Sequence, residues 1–89
     1  MKIIKISAIW CGACLIMNKI WNKLKNNYDF EAIELDYDMD EEEVKKYNVG
    51  DVLPVFIICS PDDKEIMRIK GEISYKDFAA KIEGIGDEK

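Results

Sequence analysis

Hydrophobic and polar positions along the chain change their period several times, and each change indicates a new element. Residues 3–9 (IIKISAI) form a short, β-branched run without a helical period, which predicts a strand. From about Gly12 to Asn26 the apolar residues recur at spacings of three and four, which predicts a helix of about four turns. The apolar stripe of this helix consists of Ala13, Met17, Ile20 with Trp21, Leu24 and Tyr28.

A second strand is predicted over residues 30–36, and an acidic run follows it. The run is typical of a helix start, with Asp40 as cap and Glu43 as its capping-box partner, and predicts a short helix over about residues 41–47. Its alternate aspartates also resemble the first ligands of an EF-hand calcium loop. That loop needs Gly and Glu at later positions, where this chain has Glu41 and Tyr47. We therefore interpret the run as a helix start and not as a calcium site.

The most apolar run of the chain predicts a buried strand. Residues 55–59 (VFIIC) are apolar at both parities, as in a strand that is covered on both faces. Pro54 can only begin such a strand, because proline cannot donate a hydrogen bond within the sheet. After a turn at residues 60–63, residues 65–70 alternate in polarity, which predicts a half-exposed strand that pairs with the previous one as a hairpin.

A last helix is predicted to begin after Ser74, whose hydroxyl can cap it. Its inward-facing residues are Phe78, Ala79, Ile82 and Ile85. We expect residues 84–89, with two glycines and the chain end, to fray.

The predicted element order is β-α-β-α-β-β-α, which indicates an α/β fold. The first two strands are joined by a helix and should be parallel, through a right-handed crossover. The last two strands form an antiparallel hairpin. We therefore predict one domain over residues 1–89, with a four-stranded mixed sheet and helices on both faces, because a chain of 89 residues is too short for a second core.

The composition excludes several classes of function. The chain has no His, which rules out Ser-His-Asp and Cys-His catalysis within it and removes imidazole metal ligands. The formal net charge is −5 with scattered basic residues, which argues against a nucleic-acid partner. No apolar run reaches the roughly 18–20 residues of a membrane span. Lys5 and Ser7 interrupt the apolar run at the start of the chain, so this segment is a poor signal peptide. Three cysteines are too few, and an odd number, for a secreted disulfide scaffold. We expect a cytoplasmic monomer.

The candidate chemistry lies in residues 10–14 (WCGAC), at the junction of the first strand and the first helix. Cys11 falls at the helix N-terminus, where unpaired amide groups and the helix dipole favour a thiolate over a thiol. Cys14 is one turn further on, more buried and within reach of the Cys11 sulfur. Gly12 allows a substrate chain to come close, and Trp10 shields one side of the sulfurs. The pattern indicates reversible disulfide exchange.

A metal site is the alternative interpretation of the two cysteines. Zinc normally requires four Cys or His ligands, and the chain offers only one more Cys. Zinc or an iron–sulfur cluster would therefore need a second subunit, a carboxylate or an external thiol. We expect no metal, and no cofactor beyond the redox-active cysteine pair itself.

The sequence resembles the thioredoxin family at several points. Residues 10–14 match that family's W-C-G-P-C motif, with Ala13 where proline is usual, and Leu53-Pro54 matches its aliphatic residue followed by a cis-proline. Further matches lie at residues 35–38, residues 47–49 and Gly71. The resemblance extends from Ile3 to about Ile82. The family's extra N-terminal strand and helix are missing, so that in length the chain is closer to a glutaredoxin.

The resemblance implies a mechanism and a set of site residues. Cys11 would attack a substrate disulfide, and Cys14 would resolve the mixed disulfide and leave a Cys11–Cys14 bond. Pro54 would be cis against the sulfurs, and the backbone of Leu53 would pair with an extended substrate segment. The implied substrate-binding residues are Trp10, Gly12, Ala13, Val52, Leu53, Pro54 and Gly71.

The resemblance also implies partners. These are disulfide-containing proteins as substrates and a flavin-dependent thioredoxin reductase that restores the dithiol. Two alternatives stay open: a glutathione-coupled role like that of a glutaredoxin, and a binding module that keeps the fold without redox turnover. Ala13 without a nearby His indicates a potential toward the reducing end of the family.

Two charged positions depart from the family pattern. Thioredoxins carry a buried Asp six residues before the first cysteine and a Lys in the next strand, whereas this chain has Lys5 and Glu34. Our hypothesis is that the two pair across adjacent strands and that Glu34 handles the proton of Cys14. The alternative is that both side chains merely reach solvent at the end of the sheet. Leu15 is either part of a docking surface or an ordinary surface residue, and Cys59 is interpreted as a small buried hydrophobe.

Overall fold

The computed structural model describes residues 1–86 and has the predicted α/β architecture. Its elements are β1 (Lys2–Ser7), α1 (Gly12–Asn27), β2 (Glu31–Asp36), α2 (Glu41–Lys45), β3 (Val55–Cys59), β4 (Glu65–Lys70) and α3 (Tyr75–Gly86). The sheet has the order β2-β1-β3-β4. Strand β1 is parallel to β2 and antiparallel to β3, and β3 and β4 are antiparallel, which confirms the predicted mixed sheet.

The two faces of the sheet carry separate cores. On one face Phe56 of β3 packs between α1 and α3, with ring centroids 5.6 Å from Trp21 and 5.0 Å from Phe78. On the other face Ile4 and Ile57 pack with Val44 of α2. The helices therefore lie on both faces, as predicted. All five residues of β3 are buried, because the strand is covered on both sides and paired along both edges.

Several element ends differ from the predictions by one or two residues. Strand β1 ends at Ser7 and not at Ile9, because the chain turns there and the Cys11 N–H donates to the Ala8 carbonyl at 3.2 Å. Strand β2 begins at Glu31, one residue later than predicted. Helix α2 ends at Lys45 and not at Tyr47, whose N–H donates to the Val44 carbonyl in a tighter turn.

The predicted capping box of α2 is wrong. Asp40 stands at the N-cap, but its side chain makes no capping hydrogen bond. The Asp40 carboxylate instead accepts from the backbone N–H of Asp36 at 2.8 Å. The Asp36 carboxylate accepts in turn from the N–H groups of Asp38 and Met39, both at 2.9 Å. The acidic side chains therefore stabilise the turn between β2 and α2 and not the helix start.

The start of the last helix is as predicted, and its end is not. The Ser74 hydroxyl accepts from the Asp77 N–H at 3.1 Å, which confirms it as the cap. Helix α3 continues through Gly84 to Gly86, so the expected fraying from Gly84 is wrong over these residues. Ile82 and Ile85 pack against the core and hold this last turn. Asp87, Glu88 and Lys89 lie outside the described residues. Within residues 1–86, no helix is both long and apolar enough to cross a bilayer.

Candidate active site

Cys11 caps the first helix with its sulfur. The turn after β1 gives Cys11 an extended backbone (φ −89°, ψ 112°), and its Sγ accepts from the Cys14 N–H at 3.2 Å. The sulfur thus occupies the place that a Ser or Asp oxygen takes at other helix starts. An amide N–H directed at the sulfur and the positive end of the helix dipole both stabilise a negative charge there, so the geometry favours a Cys11 thiolate.

Cys14 lies one helical turn further on and is the more buried of the two. It is 3% exposed, against 8% for Cys11, and both are free thiols. Burial is the largest cause that raises the pKa of Cys14 to about 11, and the hydrogen bond with Cys11 is the second. Cys14 is therefore protonated near neutral pH. The two sulfurs have the unequal environments that a nucleophile and a resolving cysteine require.

A second loop meets the cysteines from the other side. The Leu53–Pro54 peptide is cis, as predicted. Leu53 belongs to the same buried cluster as the two cysteines. The Gly71 N–H donates to the Pro54 carbonyl at 2.8 Å, and Gly71 has a φ of +82°, which favours glycine. A Cβ at that position would lie 3.8 Å from Val52 Cγ1, so that Gly71 and Val52 are neighbours.

The surface around the cysteines is apolar. Trp10 is 64% exposed, and its indole N–H donates to the Asp38 carboxylate at 2.7 Å. The Trp10 ring also meets Tyr37 edge-on, with centroids 6.2 Å apart. We call the exposed apolar residues that flank the cysteines in sequence or precede the cis-proline the apolar rim: Ile9, Trp10, Leu15, Ile16 and Val52.

Three of the residues at the site were not predicted as such. Asp38 orients Trp10 from 28 positions away, and the sequence placed it only in a segment that resembles the family. Ile9 was predicted to lie in a strand, but it is 83% exposed beside Trp10. Ile16 follows the exposed Leu15 on α1, off the buried stripe of that helix, which is the signal that would have found it.

Lys5 and Glu34 face each other across β1 and β2. They are register partners, and Lys5 Nζ lies 3.8 Å from Glu34 Oε1. Lys5 is only 5% exposed, and its ammonium donates to Asn18 Oδ1 at 2.6 Å, so this side chain does not reach solvent. Glu34 is about half-exposed and also lies 3.4 Å from Lys25 Nζ. Burial lowers the pKa of Lys5, whereas the charge of Glu34 raises it.

The remaining chemistry-bearing residues lie apart from this site. Cys59 is buried at the far end of β3, where it is the register partner of Lys2. Burial raises the pKa of the Cys59 thiol, as expected for a small core residue. No group of three or more Cys, Asp or Glu side chains in residues 1–86 is arranged to hold a metal ion.

Comparison with known proteins identifies the family. The sequence model of the Thioredoxin family matches residues 1–84. No curated protein matches the chain significantly.

Solved structures share the fold. Thioredoxin-2 of a malaria parasite is 25% identical with a TM-score of 0.86, over 93% of this chain and 81% of that one. A chain from the complex of ferredoxin:thioredoxin reductase and thioredoxin f2 is 25% identical with a TM-score of 0.78, over 94% and 76%. A chain from a structure on thiol resolution in yeast mitochondrial 1-Cys peroxiredoxin via glutathione/thioredoxin systems is 25% identical with a TM-score of 0.81, over 93% and 76%. Since the family match spans almost the whole chain and the paired cysteines stand at the expected strand-to-helix junction, the chain belongs to the thioredoxin family.

Proposed function

We propose that the protein reduces disulfide bonds of other proteins through the Cys11–Cys14 dithiol. Family membership and fold support the broader statement that it is a thiol–disulfide oxidoreductase. The observation that carries the finer proposal is the asymmetry of the cysteine pair. Cys11 Sγ receives an amide N–H at the start of α1, whereas Cys14 is more deeply buried and its pKa is raised to about 11.

The reaction proceeds in two exchanges. The Cys11 thiolate attacks one sulfur of the substrate disulfide, a Cys11–substrate bond forms, and the other substrate sulfur leaves as a thiolate that takes up a proton. Cys14 then loses its proton and attacks Cys11 Sγ. The Cys11–Cys14 bond forms as the Cys11–substrate bond breaks, and the second substrate sulfur leaves with the electron pair. Two electrons have passed from the dithiol to the substrate.

The apolar rim supports a protein substrate over a small molecule. Its side chains are exposed and belong to the segments that carry the cysteines and the cis-proline, so that an extended segment of a substrate can cover them. Next to it lies a shallow groove of about 270 Å³ between α1 and the loop after β4, lined by Ile16, Met17, Ile20, Glu72, Ile73 and Ser74. In this proposal the backbone at Leu53 pairs with the substrate segment, and the apolar rim binds its side chains.

A reductase must restore the dithiol after each cycle. Solved relatives include a chain from a complex with ferredoxin:thioredoxin reductase and one from a structure on the resolution of a peroxiredoxin thiol. These support a reductase and a thiol protein as the two kinds of partner. We propose a flavin-dependent thioredoxin reductase as the electron donor. A glutathione-coupled cycle is the competing proposal.

The test is the reduction of insulin with dithiothreitol as the electron source. We expect the protein to accelerate precipitation of the insulin B chain and the Cys11→Ser variant to be inactive. The Cys14→Ser variant should instead accumulate a mixed disulfide that a reducing gel releases. No acceleration by the unaltered protein would contradict the proposal and favour a binding module. Replacing dithiothreitol by NADPH with a flavin-dependent reductase, or by glutathione, then determines the donor.

A further inference from the structure

Lys5 is the only charged residue that is buried among residues 1–86. It lies at the centre of β1, between β2 and β3, where an ammonium group is costly unless it is paired. Its partners are the Asn18 amide oxygen at 2.6 Å and the half-exposed Glu34 carboxylate at 3.8 Å. The two exchanges of the proposed reaction give this buried charge no role.

The position of Asn18 connects Lys5 with the resolving cysteine. Asn18 follows Cys14 by four residues on α1, so both side chains lie on the same side of the helix, one turn apart. The short hydrogen bond to Asn18 therefore holds the Lys5 ammonium beneath the part of α1 that carries Cys14. An ammonium has three donors, and Asn18 accepts one of them, whereas Glu34 lies 3.8 Å away as an ion-pair partner.

We propose that Lys5 is a positioning residue for the second exchange, whose buried ammonium stabilises the Cys14 thiolate as it forms. The inference rests on the proposed function and deepens it. Its physical basis is that a positive charge held in a poorly solvated interior interacts more strongly with a nearby anion than the same charge does in water.

The mixed disulfide makes this charge decisive. In the free dithiol, burial and then the Cys11 side chain are the main causes that raise the pKa of Cys14, while the Ala8 backbone and the charge of Lys5 lower it. When Cys11 is bonded to substrate, its thiolate no longer opposes the ionisation of Cys14. Burial then remains as the main obstacle, and the positive charge of Lys5 acts against it.

Glu34 acts only through Lys5. It is half-exposed and is shared with Lys25 at the surface. Its negative charge partly neutralises the Lys5 ammonium. The proton of Cys14 passes to solvent or to the departing substrate thiolate. This assignment replaces our hypothesis that Glu34 accepts that proton.

The groups that surround Lys5 define the test. From α1 they are Asn18, Lys25 and the Trp21 ring, whose centroid lies 5.9 Å from Lys5 Nζ. From β2 the facing group is Glu34, and from β3 the register partner is the uncharged Phe56. Lys25 Nζ also lies 5.9 Å from the Trp21 ring and contacts the same carboxylate, but it is partly exposed. Lys25→Met therefore removes a matched charge from the surface.

The experiment measures the Cys14 thiolate at neutral pH, by the rate at which iodoacetamide alkylates Cys14. It uses the Cys11→Ala, Cys59→Ala background, in which Cys14 is the only cysteine. We expect Lys5→Met to lower this rate about tenfold, the scale of a nearby opposite charge. Glu34→Gln should raise the rate, because the ammonium is then less neutralised. Lys25→Met should change the rate less than about twofold, because its charge is better solvated.

The two changes of opposite sign keep the inference falsifiable. An unchanged or raised alkylation rate in Lys5→Met would overturn it. If Lys5→Met does not fold, Glu34→Gln alone decides, and an unchanged or lowered rate there overturns the inference. Because alkylation needs no turnover, a protein that fails to reduce insulin but shows these changes would contradict the proposed function and leave the role of Lys5 standing.

Kinetics supply the second readout. In the chain with all three cysteines, Lys5→Met should slow release of substrate from the mixed disulfide about tenfold at neutral pH. The reason is that the rate of attack follows the Cys14 thiolate fraction, which falls about tenfold when the pKa of Cys14 rises by one unit. The rate at which iodoacetamide alkylates Cys11 should stay unchanged. A merely structural role for Lys5 would slow both reactions, and that outcome would overturn the inference.

Discussion

Replacing Trp10 by Ala should separate substrate binding from stability. The side chain is 64% exposed, and its contacts within the protein are the hydrogen bond to Asp38 and the edge-on contact with Tyr37. An exposed hydrogen bond and one aromatic pair together contribute about 1–2 kcal/mol to folding. The free energy of unfolding of Trp10→Ala should fall by no more than this.

The expected loss of activity is larger and follows from the exposed area. A Trp side chain has up to about 250 Å² of surface, so a 64% exposed ring offers about 160 Å² to a partner. At about 25 cal/mol per Å², complete burial by a substrate would contribute about 4 kcal/mol. If a substrate covers half of that area, the loss is about 2 kcal/mol, or roughly 30-fold in kcat/KM.

The assay is steady-state reduction of insulin, combined with urea denaturation of the same samples. Asp38→Ala is the first control, because it removes the hydrogen bond and leaves the ring, and we expect a smaller loss of kcat/KM. Ile66→Ala is the second control. It removes a 45% exposed apolar side chain from β4, outside the apolar rim, and should leave kcat/KM unchanged. If Trp10→Ala keeps full activity, or loses stability in proportion to activity, the role of the apolar rim is refuted.

Three further predictions concern residues outside the cysteine pair. Hydrogen bonding to Arg68 lowers the pKa of Glu65, so Glu65→Gln should lose under about 1 kcal/mol near neutral pH. The contribution of Glu65 is present above its unfolded pKa and is lost as the pH falls through its folded value, so urea denaturation should find the variants converging in acid. Burial raises the pKa of Cys59, so alkylation followed by mass spectrometry should label Cys11 in the native protein and Cys59 only after unfolding. Gly71→Ala should cost about 1–2 kcal/mol in thermal unfolding because of its φ of +82°, and an unchanged melting temperature would contradict this reasoning.

The sequence determined most of the fold because its strongest patterns are local. The all-apolar run of β3 is typical only of a buried strand, and the apolar stripe of α1 is typical only of a helix. Both elements lie within a residue or two of their predicted ends. The acidic run after β2 was different, because its side chains could cap a helix or close a turn. In the structure they close a turn: the Asp40 carboxylate accepts from the Asp36 N–H, and the Asp36 carboxylate accepts from the Asp38 N–H. A periodicity argument cannot rank two such local hydrogen-bond patterns.

The site was predictable where a short motif carried it and unpredictable where distant segments meet. The cysteine pair follows from a few adjacent residues, and the cis state of Pro54 was implied by the resemblance of Leu53-Pro54 to the family motif. The bond between Trp10 and Asp38 depends on how the turn after β2 lies against the turn after β1. The hydrogen bond between Lys5 and Asn18 likewise depends on how α1 packs on the sheet, and no sequence pattern indicates that these two residues are partners.

Lys5 should affect the rate of the second exchange and not the reduction potential. The pKa of Cys14 is raised to about 11, mainly by burial, so at neutral pH only a very small fraction of the molecules carries this thiolate. Changing so rare a form alters the free energy of the reduced protein negligibly, and the potential depends on that free energy. The rate of attack, in contrast, is proportional to the thiolate fraction. Equilibration with glutathione should therefore give the same potential for Lys5→Met and the unaltered chain, although the variant resolves its mixed disulfide about tenfold more slowly. A potential that moves together with the rate would mean that Lys5 stabilises one redox state as a whole, and that its charge does not act on the Cys14 thiolate alone.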